Sequence, residues 1–527
     1  MKSICCCSVV LLLVLFPTAC RGGNILVLPI EGSHWINMDV LLQALHSRGH
    51  NITIVCSSKS WYIKDSPSYY HTYRFQSERS FDPEVITKMI SSIIDSERGN
   101  LPFVNFLHMT IGLFSTFLDV HATIGEFATA MLDDEELMRT LKDGEFDMVL
   151  TDPCWGHGVI LAKYLNLPLV FNVRWVIAGD GHFAVAPSPV SYIPVTGTGY
   201  TDKMTFFQRV TNTIFYIITQ TQHHLVVKLT YQKICDKYLG PEYDYNQLVQ
   251  NADIWLMRVD FVFEFPRPTM PNVVYIGGFQ CRPALPLPDH LEEFMQSSGE
   301  HGVIVMSLGT FVNEIPAEIT NEIAAAFAKL PQKVIWRHKG GRPATLGNNT
   351  LIVDWMPQND LLGHPKMKLF VAHGGTNGVQ EAIYHGVPVV GLPVFFDQYD
   401  NLLRLQEKGA AKLLTMKTVD KDDNFLKAVQ EVLQEPSYRE NMQRLSVLHR
   451  DRPMKPLDAA LFWIEFVMRH KGAAHLRTEA YRMPWYSYHS VDVALFLAAA
   501  GLLVLLTVFL FIRCLSTAVC RYKVKRD

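Results

Sequence analysis

Short apolar runs alternate with segments of helical period through most of this chain, and the alternation stops once and then restarts. Near the start, apolar runs at 24–30 and 51–56 flank a segment whose leucine and methionine residues recur on one helical face. A strand–helix–strand unit of this kind builds a parallel sheet covered by helices. The same alternation resumes at 303 and continues to 392. We therefore predict an α/β protein with two doubly wound domains and a ligand-binding cleft at the carboxyl ends of their strands.

The 527 residues are too many for one typical domain. A stretch with three prolines at 281–288 indicates a linker. Residues 60–130 and 176–250 are rich in aromatic residues, and we expect them to form irregular substrate-binding segments. The predicted order is a signal peptide (1–23), a first domain (24–280), the linker (281–288), a second domain with closing helices (289–475), a juxtamembrane segment (476–492), a transmembrane helix (493–512) and a tail (513–527).

Both ends of the chain predict a membrane protein. Lys2 and the short apolar core that follows predict a cleaved signal peptide, because the core is too short for a retained membrane anchor. Segment 493–512 is apolar over twenty residues, which at about 1.5 Å per residue matches a hydrocarbon core of about 30 Å. The basic residues after it predict a cytoplasmic tail, with the bulk of the chain on the other side. Lys523 and Lys525 resemble the dilysine signal that returns type I membrane proteins to the endoplasmic reticulum.

Charge and cysteine content narrow the possible functions. The net charge of −3 gives no polyelectrolyte attraction, so we expect no nucleic-acid partner. The ten cysteines have neither the spacing of metal ligands nor that of a disulfide framework. Asn51 and Asn348 begin glycosylation sequons, which are compatible with a luminal domain.

The stretch from 355 to 398 carries the residues most suited to bind a nucleotide. An apolar run at 369–372 leads into a glycine turn and a helical segment, whose start offers free N–H groups to a pyrophosphate. Gly375 lets the backbone approach the anion closely. Trp355 offers a flat face to a base, and Glu381 could accept hydrogen bonds from two ribose hydroxyls. Taken alone, a strand, two glycines and a helix are as often structural as functional.

The order Trp, Gln, His-Gly-Gly, Glu, Pro and Asp-Gln at this spacing resembles the donor-binding signature of the family 1 UDP-glycosyltransferases. The membrane anchor and tail resemble those of the vertebrate UDP-glucuronosyltransferases. The resemblance implies two Rossmann-like domains of GT-B type. Ala372 departs from the pattern, which usually has Thr or Ser there, and we expect little effect because the backbone shapes the turn. The implied donor contacts are Trp355 and Gln358 for uracil, Glu381 for ribose, Ser307, His373, Gly375, Asn377 and Gly378 for the diphosphate, and Asp397 and Gln398 for the sugar.

His34, in the loop after the first strand, is the expected general base because histidine titrates near neutrality. Asp152, after the apolar run 148–151, is its expected partner and would fix the tautomer of the ring. From spacing alone, both are as readily ordinary loop residues, and the resemblance favours the catalytic roles. His157 competes as the base, but it lies inside a predicted helix and is interpreted as structural. The resemblance places Arg258 near the donor's charged groups, with a surface ion pair as the alternative.

These residues predict a single displacement that inverts the anomeric carbon while UDP departs. The resemblance favours UDP-glucuronate as the donor, with UDP-glucose as the alternative, and the aromatic segments favour a small lipophilic acceptor. We expect no metal or other cofactor, because Asp420-Lys421-Asp422 is interpreted as charge at a helix start. A non-catalytic nucleotide-sugar-binding membrane protein and a type I receptor remain as alternatives, and the sequence leaves homo- or hetero-oligomers open.

Overall fold

The computed structural model describes residues 22–65, 67–79, 83–98, 102–176, 179–310, 312 and 315–524. The predicted signal peptide, apart from residues 22 and 23, and the last three residues of the predicted tail lie outside these ranges. The chain divides into two compact units, Met1–Leu476 and Arg477–Asp527.

The first half of the larger unit forms one parallel sheet. Its strands are β1 (Asn24–Leu28), β2 (Asn51–Ser57), β3 (His71–Phe75), β4 (Met148–Thr151), β5 (Leu169–Val173), β8 (Ile254–Met257) and β9 (Val273–Tyr275), with an antiparallel ribbon of β6 (Trp175–Val176) and β7 (Gly179–Asp180) after β5. The seven strands lie in the order β3-β2-β1-β4-β5-β8-β9. The helices are α1 (Ser33–Ser47), α2 (Pro83–Arg98), α3 (Pro102–Asp133), α4 (Glu135–Asp143), α5 (His157–Tyr164), α6 (His182–Val185), α7 (Phe206–Gln222), a π-helix (His223–Lys228), α8 (Leu229–Tyr238) and α9 (Tyr245–Gln250).

The second half of the unit forms another parallel sheet. Its strands are β10 (Val303–Ser307), β11 (Lys333–Arg337), β12 (Thr350–Val353), β13 (Met367–Ala372), β14 (Val389–Gly391) and β15 (Ala411–Leu413). The six strands lie in the order β12-β11-β10-β13-β14-β15. The helices are α10 (Asp289–Gln296), α11 (Ala317–Ala328), α12 (Gln358–Leu362), α13 (Thr376–His385), α14 (Gln398–Glu407), α15 (Asn424–Gln434), α16 (Pro436–Arg450) and α17 (Pro456–His470). The two doubly wound sheets confirm the predicted fold class.

Helices cover the sheets because the strands are apolar on both faces, as parallel strands in α/β proteins usually are. In β1, Ile25 and Val27 are fully buried in the same cluster as Leu41 of α1. In β10, Met306 belongs to one buried cluster, whereas its neighbour Val305 belongs to the cluster on the opposite face. This alternation of faces fixes the register of each strand, and hence which residue stands at its carboxyl end.

Two helices pack against the core that lies farther from them in sequence. Ile90 and Ile94 of α2 are buried in the core of the second sheet. Leu461 and Ile464 of α17 are buried in the core of the first sheet. The predicted range 289–475 assigned α17, the closing helix, to the second domain. This boundary stays a prediction. The two domains are therefore joined by apolar packing as well as by the segment 281–288.

The prediction of irregular structure for 60–130 and 176–250 was wrong over most of both ranges. α2 and α3 fill much of the first range, and α7, the π-helix, α8 and α9 fill much of the second. The sequence does carry local signals for these helices, which the interpretation from aromatic content overlooked. For example, Thr205 and Gln208 form a reciprocal capping box at the start of α7.

The smaller unit consists of short helical turns, α18 (Trp485–Tyr488) and the long helix α19 (Val491–Val524). Within the described residues, Val491–Arg521 is the part of α19 whose length suits a membrane span, and its most apolar 18-residue window has a mean hydropathy of 2.9. Its large apolar side chains are exposed, as expected for a segment that no protein core covers. The observed helix extends beyond the predicted limits 493–512 at both ends.

Gln380 of α13 is a buried polar link between the two sheets. Its Oε1 accepts from Gly278 N at 2.8 Å, and its Nε2 donates to Arg258 O at 2.6 Å. We expect Gln380→Leu to destabilise the protein by roughly 1–3 kcal/mol for each backbone group that loses its partner. The measurement is the thermal unfolding temperature, with the exposed Gln443→Leu on α16 as the matched control. Equal unfolding temperatures for the two variants would contradict this account.

Candidate active site

Polar side chains stand at the carboxyl edge of the first sheet. Asp152 follows β4, Arg174 follows β5 and Arg258 follows β8, and these three strands are neighbours in the sheet. His34 reaches the same edge from the first turn of α1, not from the loop as predicted. The helix begins earlier than predicted because Gly32, with φ 71°, turns the chain sharply and α1 starts directly after it without a side-chain cap.

His34 and Asp152 are paired, although 118 residues separate them in sequence. His34 Nδ1 lies 2.7 Å from Asp152 Oδ2, and Asp152 Oδ1 accepts from Cys154 N at 3.0 Å. Asp152 is buried, whereas the His34 side chain is 24% exposed. A carboxylate on Nδ1 favours the tautomer with its proton there, which leaves Nε2 as the basic nitrogen.

Arg258 lies against this pair. Its Nη2 is 3.4 Å from Asp152 Oδ2 and 3.3 Å from His34 Nδ1. The side chain is buried, and desolvation lowers its pKa while the charge of Asp152 opposes that effect. The surface ion pair considered as the alternative is therefore wrong. His157 is the first residue of α5 and is also buried, and desolvation lowers the pKa of its ring to about 4.

Three residues align in register at the carboxyl edge of the second sheet. Ser307 of β10 pairs with Arg337 of β11 on one side and with Ala372 of β13 on the other. Arg337 Nη1 donates to Gly309 O in the turn after β10. Sequence reasoning missed Arg337, although its position at the end of an apolar run was the available signal. The guanidinium adds positive charge where the diphosphate was expected.

His373 follows β13 and lies between two glycines. A Cβ at Gly309 or at Gly375 would lie 2.5 Å from His373 Nε2, so neither position tolerates a side chain without rearrangement. Gly309 also has φ +85°, a left-handed conformation. Desolvation lowers the pKa of His373 to about 4, so the ring is neutral near pH 7. A backbone hydrogen bond with Ser307 opposes this lowering of the pKa.

α13 starts directly after this turn, as predicted. Gly375 is its N-cap and provides no side-chain cap, so backbone N–H groups of the first turn remain free for an anion. Gly378, in that turn, has the side chains of Gln358 and Phe370 at 3.3 Å from the position of a Cβ. The glycines at 375 and 378 therefore let the backbone lie close both to an anion at the helix start and to the side chains of Gln358 and Phe370.

The residues expected to bind the nucleoside lie on one side of this helix start. Trp355 is 73% exposed and presents its ring to solvent. Gln358 Nε2 donates to Glu381 Oε2 at 2.5 Å, which couples the expected uracil and ribose contacts. Desolvation raises the pKa of Glu381 to about 7, although the hydrogen bond from Gln358 opposes this.

The expected sugar contacts, Asp397 and Gln398, stand at the start of α14 and are buried. Asp397 Oδ2 accepts from Asn401 Nδ2 at 2.7 Å and from Thr376 Oγ1 at 3.3 Å. Gln398 Oε1 accepts from two backbone N–H groups, those of Val394 and Phe395, at 2.8 and 3.1 Å. The Gln398 carbonyl thus holds the preceding loop, and only its amide nitrogen is left for a ligand.

The acidic motif at 420–422 lies outside this site. Asp420 Oδ2 accepts from Arg98 Nη2 at 2.8 Å, so this carboxylate has a cationic partner. Asp422 and Asp423 have φ of 50° and 54°, and α15 begins only at Asn424. The motif therefore lies in the turn directly before Asp423, the N-cap of α15, and not in the first turn of the helix itself.

One short contact brings the two edges together. Asn37 lies one turn after His34 in α1, and its Nδ2 donates to Asn377 Oδ1 in α13 at 2.7 Å. This contact places the first turns of α1, which carry His34, beside the start of α13. Sequence reasoning missed Asn37, because a contact between residues 340 positions apart depends on how the two sheets dock.

Two doubly wound parallel sheets that meet at their carboxyl edges have the arrangement of the GT-B fold. Solved structures of similar fold include the glycotransferase of kitacinnamycin (TM-score 0.56, 18% identity, covering 84% of this chain and 99% of that one). Another is a UDP-glucosyltransferase from Polygonum tinctorium (TM-score 0.55, 15% identity, covering 85% of this chain and 99% of that one). At these identities the likeness concerns the fold alone.

The chain belongs to the family described as UDP-glucoronosyl and UDP-glucosyl transferase, whose model matches residues 23–526. It is 43% identical to UDP-glucuronosyltransferase 2A2 of Homo sapiens over 500 residues, which cover 94% of this chain and 91% of the relative. It is 44% identical to UDP-glucuronosyltransferase 2A1 of Rattus norvegicus, with 91% of each chain covered. The resemblance inferred from the motif is confirmed, and the protein is a UDP-glycosyltransferase.

The raised pKa of Glu381 gives a pH prediction. If the carboxylate accepts from the ribose, it must be ionised in the complex, so binding releases a proton whenever the pH lies below the free pKa of about 7. We expect the Kd of the UDP-sugar donor to rise as pH falls from about 8 to about 6, towards a limit of about tenfold per unit. Calorimetry on the detergent-solubilised protein measures this Kd.

Glu381→Gln is the control for this measurement, because an amide does not titrate. It should bind the UDP-sugar more weakly at high pH and lose the dependence assigned to the carboxylate. A variant that kept the full pH dependence of the wild type would contradict the role of Glu381.

Proposed function

We propose that this enzyme transfers glucuronic acid from UDP-glucuronate to a hydroxyl or amine of a small lipophilic acceptor, with inversion at the anomeric carbon. The observation that carries the proposal is the His34–Asp152 pair, which faces the helix start at Gly375 across the Asn37–Asn377 contact. A base on one sheet and an anion site on the other suit the attack of an acceptor on a nucleotide-sugar held between them.

The first half of the reaction is assigned to the first sheet. His34 Nε2 takes the proton of the acceptor hydroxyl or amine as that group attacks the anomeric carbon. Asp152 stabilises the imidazolium through the Nδ1 hydrogen bond of 2.7 Å. Arg258 lies beside Asp152 and holds the carboxylate in its orientation.

The second half is assigned to the second sheet. UDP departs from the opposite face of the sugar, and its diphosphate is stabilised by the N–H groups at the start of α13 and by His373 and Arg337. Trp355 and Gln358 bind uracil, Glu381 binds the ribose, and Asp397 and Gln398 bind the sugar. The proposal includes no resident metal or cofactor, and these groups alone stabilise the negative charge of the departing diphosphate.

The proposed acceptor is a phenol, a steroid or a similar apolar molecule. A cavity beside the loop between β1 and α1 is lined by the aromatic residues Trp61, Phe75, Phe127 and Trp155. At about 20 Å³ the cavity has room for only about one water molecule, so an acceptor would have to enlarge it on binding. For location, we propose the endoplasmic reticulum membrane with the sheets in the lumen, supported by the apolar helix Val491–Arg521 and the basic tail.

Replacing the base tests the mechanism directly. We expect His34→Ala to lower kcat by about 100-fold to about 10,000-fold, the usual range for the loss of a general base. Asp152→Asn should also lower kcat, because a neutral amide no longer stabilises the imidazolium. His46→Ala is the matched control, since His46 is an exposed histidine on the same helix. Thermal protection by UDP should persist in all three, and full turnover by His34→Ala would exclude the proposed base.

The donor assignment is tested on microsomes with a panel of UDP-sugars and with phenolic and steroid acceptors. We expect turnover with UDP-glucuronate, with kcat/KM at least about tenfold above that for UDP-glucose, the discrimination that one charged contact provides. Added EDTA should leave the rate unchanged. A preference for UDP-glucose would replace the donor assignment without affecting the fold or the base.

A further inference from the structure

Arg174 is a buried arginine that crosses from the first sheet to the second. It follows β5 directly and is 4% exposed. Its Nη2 donates to Asn401 Oδ1 at 3.2 Å, and its Nε lies 3.8 Å from Asp397 Oδ2. Both partners belong to the start of α14, where Asn401 also donates to Asp397 at 2.7 Å. The guanidinium, the amide and the carboxylate therefore form one closed group at the expected sugar site.

The other carboxylates around Arg174 have cations of their own. Glu264, which accepts from Arg174 Nη1 at 2.7 Å, also pairs with Arg404 Nε at 2.9 Å. Asp180 lies 3.8 Å from Arg174 Nη1 but is paired with His182 at 2.6 Å and with Arg267 at 3.4 Å.

Asp397 differs from these two carboxylates in its cationic partners. In the part of the chain that the structure describes, Arg174 is the one cationic side chain within ion-pair distance of it. Arg258 also acts electrostatically on Asp397, but from beyond ion-pair distance. The loss of the Arg174 guanidinium would therefore remove the nearest cation of Asp397, whereas Glu264 and Asp180 would each keep one.

We propose that Arg174 is a positioning residue for the donor sugar, which orients Asp397 and Asn401 from the opposite domain. This inference rests on the proposed function, in which Asp397 binds the sugar. Because Arg174 is buried beneath Asp397, it acts through that carboxylate and not by contact with the substrate. The sugar subsite is then completed by the first domain.

The geometry gives a reason for arginine at this position. Its planar fork presents separate N–H groups to Glu264, to Asn401 and towards Asp397 at the same time, which a single ammonium group cannot reproduce. A lysine would keep the charge but lose the simultaneous orientation of both groups on α14. The effect of Arg174→Lys should therefore lie between those of the wild type and an uncharged variant.

The test compares Arg174→Gln and Arg174→Lys with Arg267→Gln. Arg267 is a matched control, because it is an equally buried arginine of the first domain that pairs with Asp180 but makes no ion pair with Asp397. We expect Arg174→Gln to raise the KM of the UDP-sugar that the donor panel identifies by about tenfold or more, a size typical of charged hydrogen bonds. Arg174→Lys should raise this KM by about threefold. The acceptor KM and the thermal protection by UDP should stay within about twofold of the wild-type values.

Comparison of the donor KM with the unfolding temperature distinguishes a positioning role of Arg174 from a purely structural one. A purely structural role would lower the unfolding temperature in the Arg174 and Arg267 variants alike without a selective effect on the donor KM. If Arg174→Gln fails to fold, as judged by the absence of UDP protection, Arg174→Lys decides by the same measurements. A donor KM within about twofold of the wild type in the folded Arg174 variants would overturn the inference.

Asp397→Ala distinguishes this failure from that of the proposed function. If Asp397→Ala raises the donor KM and the Arg174 variants do not, only the inference about Arg174 is wrong. If Asp397→Ala leaves the donor KM unchanged, the sugar-binding role of Asp397 itself is wrong, and the role of Arg174 is overturned with it.

Discussion

The site depends on the polar contact between the carboxyl edges of two parallel sheets. Asn37 meets Asn377, Gln380 meets the backbone of the first domain, and Arg174 meets Asn401. Each of these side chains stands at a strand end or in the first turns of a helix, where doubly wound folds expose ligand-binding groups. If the sheets were rotated away from each other, the base and the anion site would both persist, but they would no longer face a common substrate.

Burial gives the two histidines of the site different chemistry. His373 is desolvated beneath the glycine turn, and its pKa is lowered to about 4, so the ring is neutral at the proposed diphosphate site. His34 remains partly exposed and is paired with a buried carboxylate, which stabilises the charged ring that a base must become. The same side chain therefore serves as a hydrogen-bonding group on one side of the cleft and as the proposed base on the other.

Local sequence signals predicted the strands, the glycine turn and the motif residues, because each depends on nearby residues only. β1 and β13 lie within two residues of their predicted limits, β10 begins at the predicted residue 303, and α13 starts next to the predicted diphosphate turn. The residues that were missed, Asn37, Arg174 and Arg337, are ordinary polar residues by sequence. Arg174 and Asn401 are 227 positions apart, so their contact follows from how the domains dock, which no local pattern encodes. The strands β3, β8, β9 and β15 were not predicted. The runs of β3 and β15 are short and less apolar than those of the centre, whereas β8 is fully buried and lies just after a range interpreted as irregular.

The contacts across the cleft are polar, and polar contacts can be exchanged for contacts to a substrate. Gln358 and Glu381 hydrogen-bond to each other where uracil and ribose are proposed to bind, and Asn37 donates to Asn377 beside the diphosphate site. An exchange of such bonds for bonds to a ligand changes the free energy little, because each typically contributes only about 0.5–1.5 kcal/mol net. Apolar packing at the same positions would resist entry of a polar nucleotide, since each buried aliphatic side chain contributes about 1.5–3 kcal/mol. The two domains accordingly keep their apolar contacts at α2 and α17, in the cores of the sheets, and reserve exchangeable hydrogen bonds for the cleft.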